Sequence, residues 1–155
     1  MNWYERAVLP QTLDTGMNQR PFSEIRKTMV SQAHGRILEI GMGSGLNFAH
    51  YSQDVQHFVA LEPSEKLRSM TASRAQSRSL EVEFIGLSGE SIPVEDNKFG
   101  DVVITCALCA IPDHHRTLAE IRRVLESGWR MILLEHGPEP EVSVQKYPSV
   151  LECDL

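Results

Sequence analysis

The sequence predicts an α/β fold, in which helices cover both faces of a mostly parallel sheet. Short apolar segments typical of strands alternate along the chain with longer segments of helical periodicity, which is the pattern of parallel strands joined by helices. The strand segments are apolar along nearly their whole length, as expected where both faces of a sheet are buried. We therefore expect five strands in a single domain.

Two helices are predicted before the first strand. Residues 2–16 show helical periodicity, and Pro10 is expected to kink or divide that segment. A second helix is predicted over residues 22–33, with Ser23 as its N-cap and Gly35 as its stop. The apolar stripe of this second helix consists of Ile25, Met29, Val30 and Ala33.

The remaining elements alternate in type. Strands are predicted over residues 36–40, 57–61, 81–85, 101–106 and 129–135. Helices are predicted over residues 45–51, over 64–78 with Ser64 as the cap, and over 113–126 with Asp113 before the first turn. The apolar side of the last helix carries Leu118, Ile121, Val124 and Leu125.

Composition excludes several functional classes. The chain has 155 residues, a net charge of −6 and no basic run, which argues against nucleic acid as a general partner. It shows neither a signal peptide nor an apolar run long enough for a transmembrane segment. Its three cysteines are too few for a disulfide framework. We expect a cytoplasmic protein that acts on a small molecule.

The end of the first predicted strand carries the most informative motif. Glycines at alternate positions, Gly41, Gly43 and Gly45, precede a predicted helix, so the backbone can turn sharply there and approach a ligand. A dinucleotide fingerprint would need a third glycine where Leu46 stands, and a P-loop would need a lysine after Gly45. Glu62, 21 residues beyond Gly41 at the end of the next strand, is placed to accept hydrogen bonds from ribose hydroxyls.

The segment Glu39-Ile40-Gly41-Met42-Gly43-Ser44-Gly45 resembles motif I of the class I methyltransferases, which use S-adenosylmethionine. The resemblance extends from about Gly35 to Gly137 and implies a Rossmann-like sheet and S-adenosylmethionine as the cofactor. It also implies that Glu39 attracts the ammonium group of the cofactor. The residues expected to bind the cofactor around this motif are Glu39, Gly41, Gly43, Gly45, Leu46, Glu62 and Pro63.

Two later segments complete the cofactor site that the resemblance implies. The loop after the third strand is expected to cover the adenine, with Ser88 and Gly89 in the matching positions and Glu90 as an additional hydrogen-bonding group. The segment after the fourth strand is expected to pass beside the methionine end of the cofactor; its residues are Cys106, Ala107 and Leu108.

The turn before the fifth strand departs from the family pattern. Arg122-Arg123-Val124-Leu125-Glu126-Ser127-Gly128-Trp129 resembles a helix end that usually continues with a proline and two glycines. Ser127 replaces the proline and Trp129 replaces the second glycine. Gly128 alone is therefore expected to form the left-handed C-cap of the helix.

The fifth strand runs into Glu135-His136-Gly137, which resembles small methyltransferases that act on thiols, lipids or unassigned substrates. His136 is a weak candidate for an acceptor-side catalytic base. Members of the family continue with two further strands, so we expect a C-terminally shortened form with five strands. Its exposed fifth strand favours self-association. We expect residues 1–35 to lie on the acceptor side, 36–137 to form the core and 138–155 to form a polar tail.

Alternatives remain at this stage. Cys106 and Cys109 form a C-x-x-C pair, which is typical of redox or zinc sites, but buried free cysteines are the more common case. For the whole chain, three functions compete: a methyltransferase with a thiol, amine, hydroxyl or lipid-like acceptor, a cofactor-binding but inactive or regulatory protein, and an NAD-type oxidoreductase. No metal is expected.

Overall fold

The computed structural model describes residues 9–55, 57–86 and 88–135. The helices are α1 (Leu9–Met17), α2 (Arg20–Val30), α3 (Glu65–Ser77) and α4 (His114–Val124). The strands are β1 (Arg36–Ile40), β2 (His57–Leu61), β3 (Val82–Gly86), β4 (Phe99–Thr105) and β5 (Leu125–Leu134). Two short 3₁₀ turns span Leu46–Ala49 and Leu108–Ala110.

The five strands form one sheet in the order β3-β2-β1-β4-β5, and all four pairings are parallel. β1 pairs with β2 on one side, where Ile37 faces Phe58, and with β4 on the other, where Ile37 faces Asp101. The chain order therefore reverses between β1 and β4. In parallel sheets, ligands bind at the carboxyl ends of the strands beside such a reversal.

Two apolar clusters pack on opposite faces of the sheet, as the alternation of side chains along β1 requires. Ile37 belongs to the first cluster, with Met29 of α2, and Leu38 to the second, with Ile121 of α4. Helices on both faces are thus confirmed. Ile25 and Leu118, expected on the apolar stripes of their helices, are instead 42% and 38% exposed.

The predicted boundaries of α2 are wrong at both ends. The helix begins at Arg20 because Pro21 occupies its first turn, where the missing N–H of proline costs no hydrogen bond. Ser23 consequently lies within the helix, and Gln19 occupies the N-cap without a side-chain hydrogen bond. The helix ends at Val30, five residues before Gly35. In contrast, Ser64 and Asp113 cap the next two α-helices with their side chains, and both caps were predicted correctly.

Two further predictions are corrected by the tertiary structure. The segment after the glycines forms only the 3₁₀ turn Leu46–Ala49, in which Asn47 and Phe48 are buried, and not the helix predicted over residues 45–51. α4 ends at Val124 and continues directly into β5. Phe99 pairs with Leu125 and Asp101 with Arg130, so the intervening residues of β5 bulge outward. Gly128, with φ of +84°, lies in this bulge and does not cap the helix.

None of the helices in the described residues is long and apolar enough to cross a membrane. The predicted polar tail over residues 138–155 and the whole segment 1–8, which includes the start of the first predicted helix, lie outside the described residues.

A buried carboxylate fastens the amino end of the sheet. Asp101 of β4 is fully buried; its Oδ2 accepts the backbone N–H of His34 at 2.9 Å, and its Oδ1 accepts that of Arg130 at 3.3 Å. The guanidinium of Arg130 also lies 3.5 Å from Oδ2. Asp101 therefore connects the loop before β1 to the bulge of β5.

We predict that Asp101→Asn lowers the free energy of unfolding by about 1–3 kcal/mol, because one of two charge-assisted hydrogen bonds is lost in a buried position. Chemical denaturation measures this change. The matched control is Asp96→Asn, which removes the charge of a 65% exposed side chain paired with Arg123. It is expected to cost less than about 1 kcal/mol. Equal losses in the two variants would contradict the role assigned to Asp101.

Candidate functional site

The loop at the carboxyl end of β1 has the left-handed backbone that its glycines predict. Gly41, Gly43 and Gly45 have φ values of +68°, +61° and +82°. A Cβ atom on Gly41 would lie 2.3 Å from the Cβ of Ala107, so this position allows the ends of β1 and β4 to touch. A Cβ on Gly43 would meet nothing closer than 4.0 Å. Gly43 is therefore the glycine whose backbone a ligand can approach.

Glu62 lies beside this loop, as the spacing predicts. It is 4% exposed; its Oε2 accepts the backbone N–H of Gly43 at 2.9 Å and its Oε1 accepts that of Ser64 at 2.8 Å. The carboxylate thus holds the glycine loop against the start of α3. Each carboxylate oxygen has a second lone pair that can accept a further hydrogen bond. Pro63, which follows it, is exposed, and Leu46 is half-buried at the start of the 3₁₀ turn.

Glu39 is buried beneath the glycine loop. It is 1% exposed and accepts hydrogen bonds from Asn47 Nδ2 at 2.6 Å and from the Tyr51 hydroxyl at 2.8 Å. Burial raises the pKa of Glu39 to about 7, although both hydrogen bonds act in the opposite direction. Asn47 also donates to Thr105 Oγ1 at 3.0 Å, which links this network to the end of β4.

Arg26 is a buried cation that the sequence analysis did not select. It is 4% exposed, and burial lowers its pKa. Its Nη1 donates to the Met17 carbonyl at 2.5 Å, while its Nε is buried without a hydrogen-bond partner among the described residues. Glu39 and Cys106 are close enough to act on it electrostatically. The sequence did carry a signal of this burial. Arg26 precedes the apolar residues Met29 and Val30 by three and four positions, and residues so spaced share a helix face.

The loop after β3 lies over the end of β1. A Cβ on Gly89 would lie 2.9 Å from Thr117 Cγ2 and 3.4 Å from Ile40 Cγ2. Glu90 accepts the backbone N–H of Asp113 at 2.8 Å and the hydroxyl of Ser88 at 3.2 Å. Glu90 therefore fastens this loop to the start of α4.

The segment after β4 makes a sharp turn next to the glycine loop. Cys106 has φ of +52°, and its N–H donates to the Leu134 carbonyl at 2.7 Å. The N–H groups of Ala107 and Leu108 both donate to Oε1 of Glu135, at 2.8 and 2.7 Å. Residues 106–108 therefore lie between the glycine loop and the end of β5.

Neither cysteine of the C-x-x-C pair is in a disulfide. Cys106 is half-buried and Cys109 is exposed. Desolvation raises the pKa of both thiols, and the charge of Glu135 raises it further. Within residues 9–55, 57–86 and 88–135, no group of three or more His, Cys, Asp and Glu side chains is placed to hold a metal ion.

The N-terminal helix contacts the same loop. Asp14 of α1 accepts hydrogen bonds from the Ser44 hydroxyl and from both terminal nitrogens of Arg74, at 2.8 and 3.0 Å. Arg74 also donates to the Ser44 carbonyl at 2.5 Å. The hydrogen bonds that Asp14 accepts from Arg74 and Ser44 lower its pKa, and Arg74 has the larger effect. α1 is thus fastened beside Gly43 and Gly45.

Four predicted parts of the site meet at the carboxyl edge of the sheet. They are the glycine loop, Glu62, the loop with Ser88, Gly89 and Glu90, and residues 106–108. His136, the candidate catalytic base, lies outside the described residues. Two surface depressions, of about 450 and 380 Å³, lie at the opposite edge of the sheet. Glu81, which precedes β3, and Val82, at its start, line both of them. Those depressions are remote from the convergent polar groups.

Comparisons with known proteins agree with this geometry. A family model described as a methyltransferase domain matches residues 38–133. The human thiol S-methyltransferase TMT1B is 32% identical over 143 residues, which cover 88% of this chain and 58% of that protein. The uncharacterized methyltransferase YcgJ of Bacillus subtilis is 32% identical over 120 residues, which cover 75% of this chain and 47% of that protein.

The crystal structure of YcgJ matches with a TM-score of 0.64 at 28% identity, over 76% of this chain and 51% of that one. The Rossmann-like fold predicted from the sequence is thereby confirmed. The chain spans about half the length of these relatives.

The titration of Glu39 predicts an unusual pH dependence of stability. Its pKa is about 7 in the folded chain, compared with an ordinary value of 4.5. Between these two pH values Glu39 is protonated in the folded state and ionised in the unfolded state. The contribution of Glu39 to the free energy of unfolding therefore falls as the pH rises. We predict that Glu39→Gln gains stability relative to the unmodified protein between about pH 5 and 8, by roughly 1–3 kcal/mol.

Denaturation at several pH values measures this difference. The exposed Glu83 provides the control, because Glu83→Gln removes a carboxylate that remains in water. Its stability relative to the unmodified protein is expected to stay constant over the same range. Parallel pH profiles for Glu39→Gln and the unmodified protein would contradict the prediction.

Proposed function

The chain belongs to the class I S-adenosylmethionine-dependent methyltransferases, and on that basis we propose that it transfers a methyl group to a small-molecule acceptor. The observation that carries the proposal is the pairing of Glu62 with the backbone of Gly43. A nucleoside ligand needs both parts: a carboxylate for its ribose hydroxyls and an open stretch of backbone beside them.

The polar groups of the site fit the charged parts of S-adenosylmethionine. We assign the ribose hydroxyls to Glu62, since hydrogen bonds to a charged group contribute about 1.5–3 kcal/mol each. The amino-acid end of the cofactor carries an ammonium and a carboxylate. Glu39 is the nearby anion for the ammonium. Nε of Arg26, which no described residue bonds, is suited to the carboxylate. Binding would supply the ligand hydrogen bond that this buried nitrogen lacks.

The remaining assignments concern the two ends of the cofactor. Ser88, Gly89 and Glu90 are proposed to lie against the adenine, because they lie above the end of β1 on the side of α4. Cys106, Ala107 and Leu108 are proposed to lie beside the methionine end, because Ala107 touches Gly41. His136 remains a weak candidate for a base.

When bound, the cofactor supplies an electrophilic methyl group on a sulfonium centre. The chain then has to hold the acceptor in line with that methyl group and keep water out. Orientation of this kind can lower a barrier by about 7–11 kcal/mol without a covalent nucleophile. The fastening of α1 to Ser44 by Asp14 and Arg74 keeps one wall of the site in position.

The acceptor class is open among thiols, amines, hydroxyls and lipid-like molecules. The similarity to a thiol S-methyltransferase supports thiols as the first class to assay. The second candidate function is a cofactor-binding but inactive or regulatory protein. It is favoured by Trp129, which stands where the family pattern has a glycine. Turnover with a panel of acceptors separates these two functions.

We predict that S-adenosylhomocysteine binds and that NADH does not, as measured by titration calorimetry. Glu62→Gln is expected to weaken S-adenosylhomocysteine binding at least about tenfold, because one charged acceptor for two hydroxyls is lost. Glu65→Ala, an exposed change three residues away in α3, is the control and is expected to leave the affinity unchanged. NADH binding in place of S-adenosylhomocysteine would refute the proposed function.

Self-association through β5 remains a separate prediction. Among the described strands, β5 pairs with β4 only, so its other edge presents unpaired backbone groups. Light scattering over a series of protein concentrations is expected to show an increase in mass. A constant monomer mass would contradict it.

A further inference from the structure

Glu135, the first residue after β5, carries a carboxylate that the cofactor assignments do not use. Its Oε1 accepts two backbone N–H groups, from Ala107 and Leu108. Its Oε2 is buried and has no hydrogen-bond partner among the described residues. An unpaired carboxylate oxygen in such a position is costly, since a buried acceptor without a partner loses its hydration. A ligand that donates a hydrogen bond would remove this cost.

The position of Glu135 favours contact with the methyl acceptor over contact with the adenosyl group. Thr105 pairs with Leu134, so Glu135 follows β5 just where Cys106 follows β4. Ala107, one of its two hydrogen-bond donors, contacts Gly41 of the glycine loop. The carboxylate is therefore on the far side of residues 106–108 from the glycine loop, next to the segment assigned to the reactive end of the cofactor.

The surroundings of Glu135 also indicate which donors suit it. The charge of Glu135 raises the pKa of both Cys106 and Cys109, and hydrogen bonding to Glu135 raises that of Cys109 further. Two thiols of the chain itself are therefore close enough to this carboxylate to be affected by its charge. A thiol acceptor entering the site would present the same kind of donor.

We propose that Glu135 is the catalytic residue that accepts the proton of the acceptor, a thiol, during methyl transfer; this rests on the proposed function. The S–H bond of the acceptor breaks and its proton moves to Oε2 of Glu135. The acceptor sulfur forms a bond to the methyl carbon. The bond from that carbon to the cofactor sulfur breaks, and its electron pair stays on the cofactor sulfur. The other role open to Glu135 is only to cap the 3₁₀ turn Leu108–Ala110.

The test uses Glu135→Gln, whose amide oxygen still accepts the N–H groups of Ala107 and Leu108 while the acidic function is lost. Glu126→Gln is the matched control, because Glu126 is exposed at the other end of β5. Rates are measured with an alkyl thiol, which is mostly protonated near neutral pH, and with an aryl thiol that is already ionised there. S-adenosylhomocysteine affinity and thermal stability are measured in parallel.

We expect Glu135→Gln to retain its affinity for S-adenosylhomocysteine and to lose about 10²–10⁴-fold in kcat with the alkyl thiol, the usual range for a general base. The aryl thiol, which has no proton to lose, is expected to lose less than about tenfold. A readout independent of turnover is the alkylation of Cys109 by iodoacetamide, mapped by mass spectrometry. It is expected to be faster in Glu135→Gln, because the nearby negative charge is gone.

An equal loss with both thiols would overturn the proposal in favour of the capping role, and so would an unchanged rate with the alkyl thiol. If Glu135→Gln does not fold, Glu135→Asp keeps the acid on a shorter side chain and is expected to lose more activity with the alkyl thiol than with the aryl thiol. A selective loss with the alkyl thiol alone in Glu135→Asp would support the proposal, and unchanged or equal losses would overturn it. Failure of the unmodified protein to bind S-adenosylhomocysteine would overturn the proposed function and this proposal together.

Discussion

The contact between the ends of β1 and β4 is the constraint on which the site depends. Gly41 and Ala107 approach so closely that a side chain on Gly41 would overlap the Cβ of Ala107. This contact joins the glycine loop to the segment after β4 at the point where the strand order reverses. Because Ala107 is in turn bonded to Glu135, the ends of three neighbouring strands are held in one rigid group.

Charge is distributed unevenly over this group. The carboxylates of Glu39, Glu62 and Glu135 lie at or beneath the carboxyl edge, and Arg26 supplies a buried positive charge among them. A surplus of negative charge suits a cofactor that is a sulfonium cation, since opposite charges attract strongly where water is excluded. Burial contributes most to the raised pKa of Glu39, and the charge of Glu62 raises it further.

These arrangements cost stability. Glu39 is fully buried at the centre of the sheet, and Nε of Arg26 is buried without a hydrogen-bond partner in the described part of the chain. Buried polar groups of this kind are expensive unless all of their hydrogen bonds are made. The tight apolar packing of Phe48, Tyr51 and Phe58 beside Glu39, with ring centroids 4.5–6.3 Å apart, provides compensating burial. A buried polar group that lacks a partner in a native structure calls for an explanation, and a functional role is one such explanation.

Local patterns in the sequence were enough to predict the parallel α/β class, the five strands, the caps at Ser64 and Asp113, and the position of Glu62 beside the glycine loop. Each of these depends on periodicity or on spacing within a short segment, so neighbouring residues suffice to predict it. The tertiary structure was needed to show that α4 runs directly into β5 and that Glu135 bonds to Ala107 and Leu108. Those features depend on which strands become neighbours, and residues 27 or 28 positions apart carry no local signal of their contact.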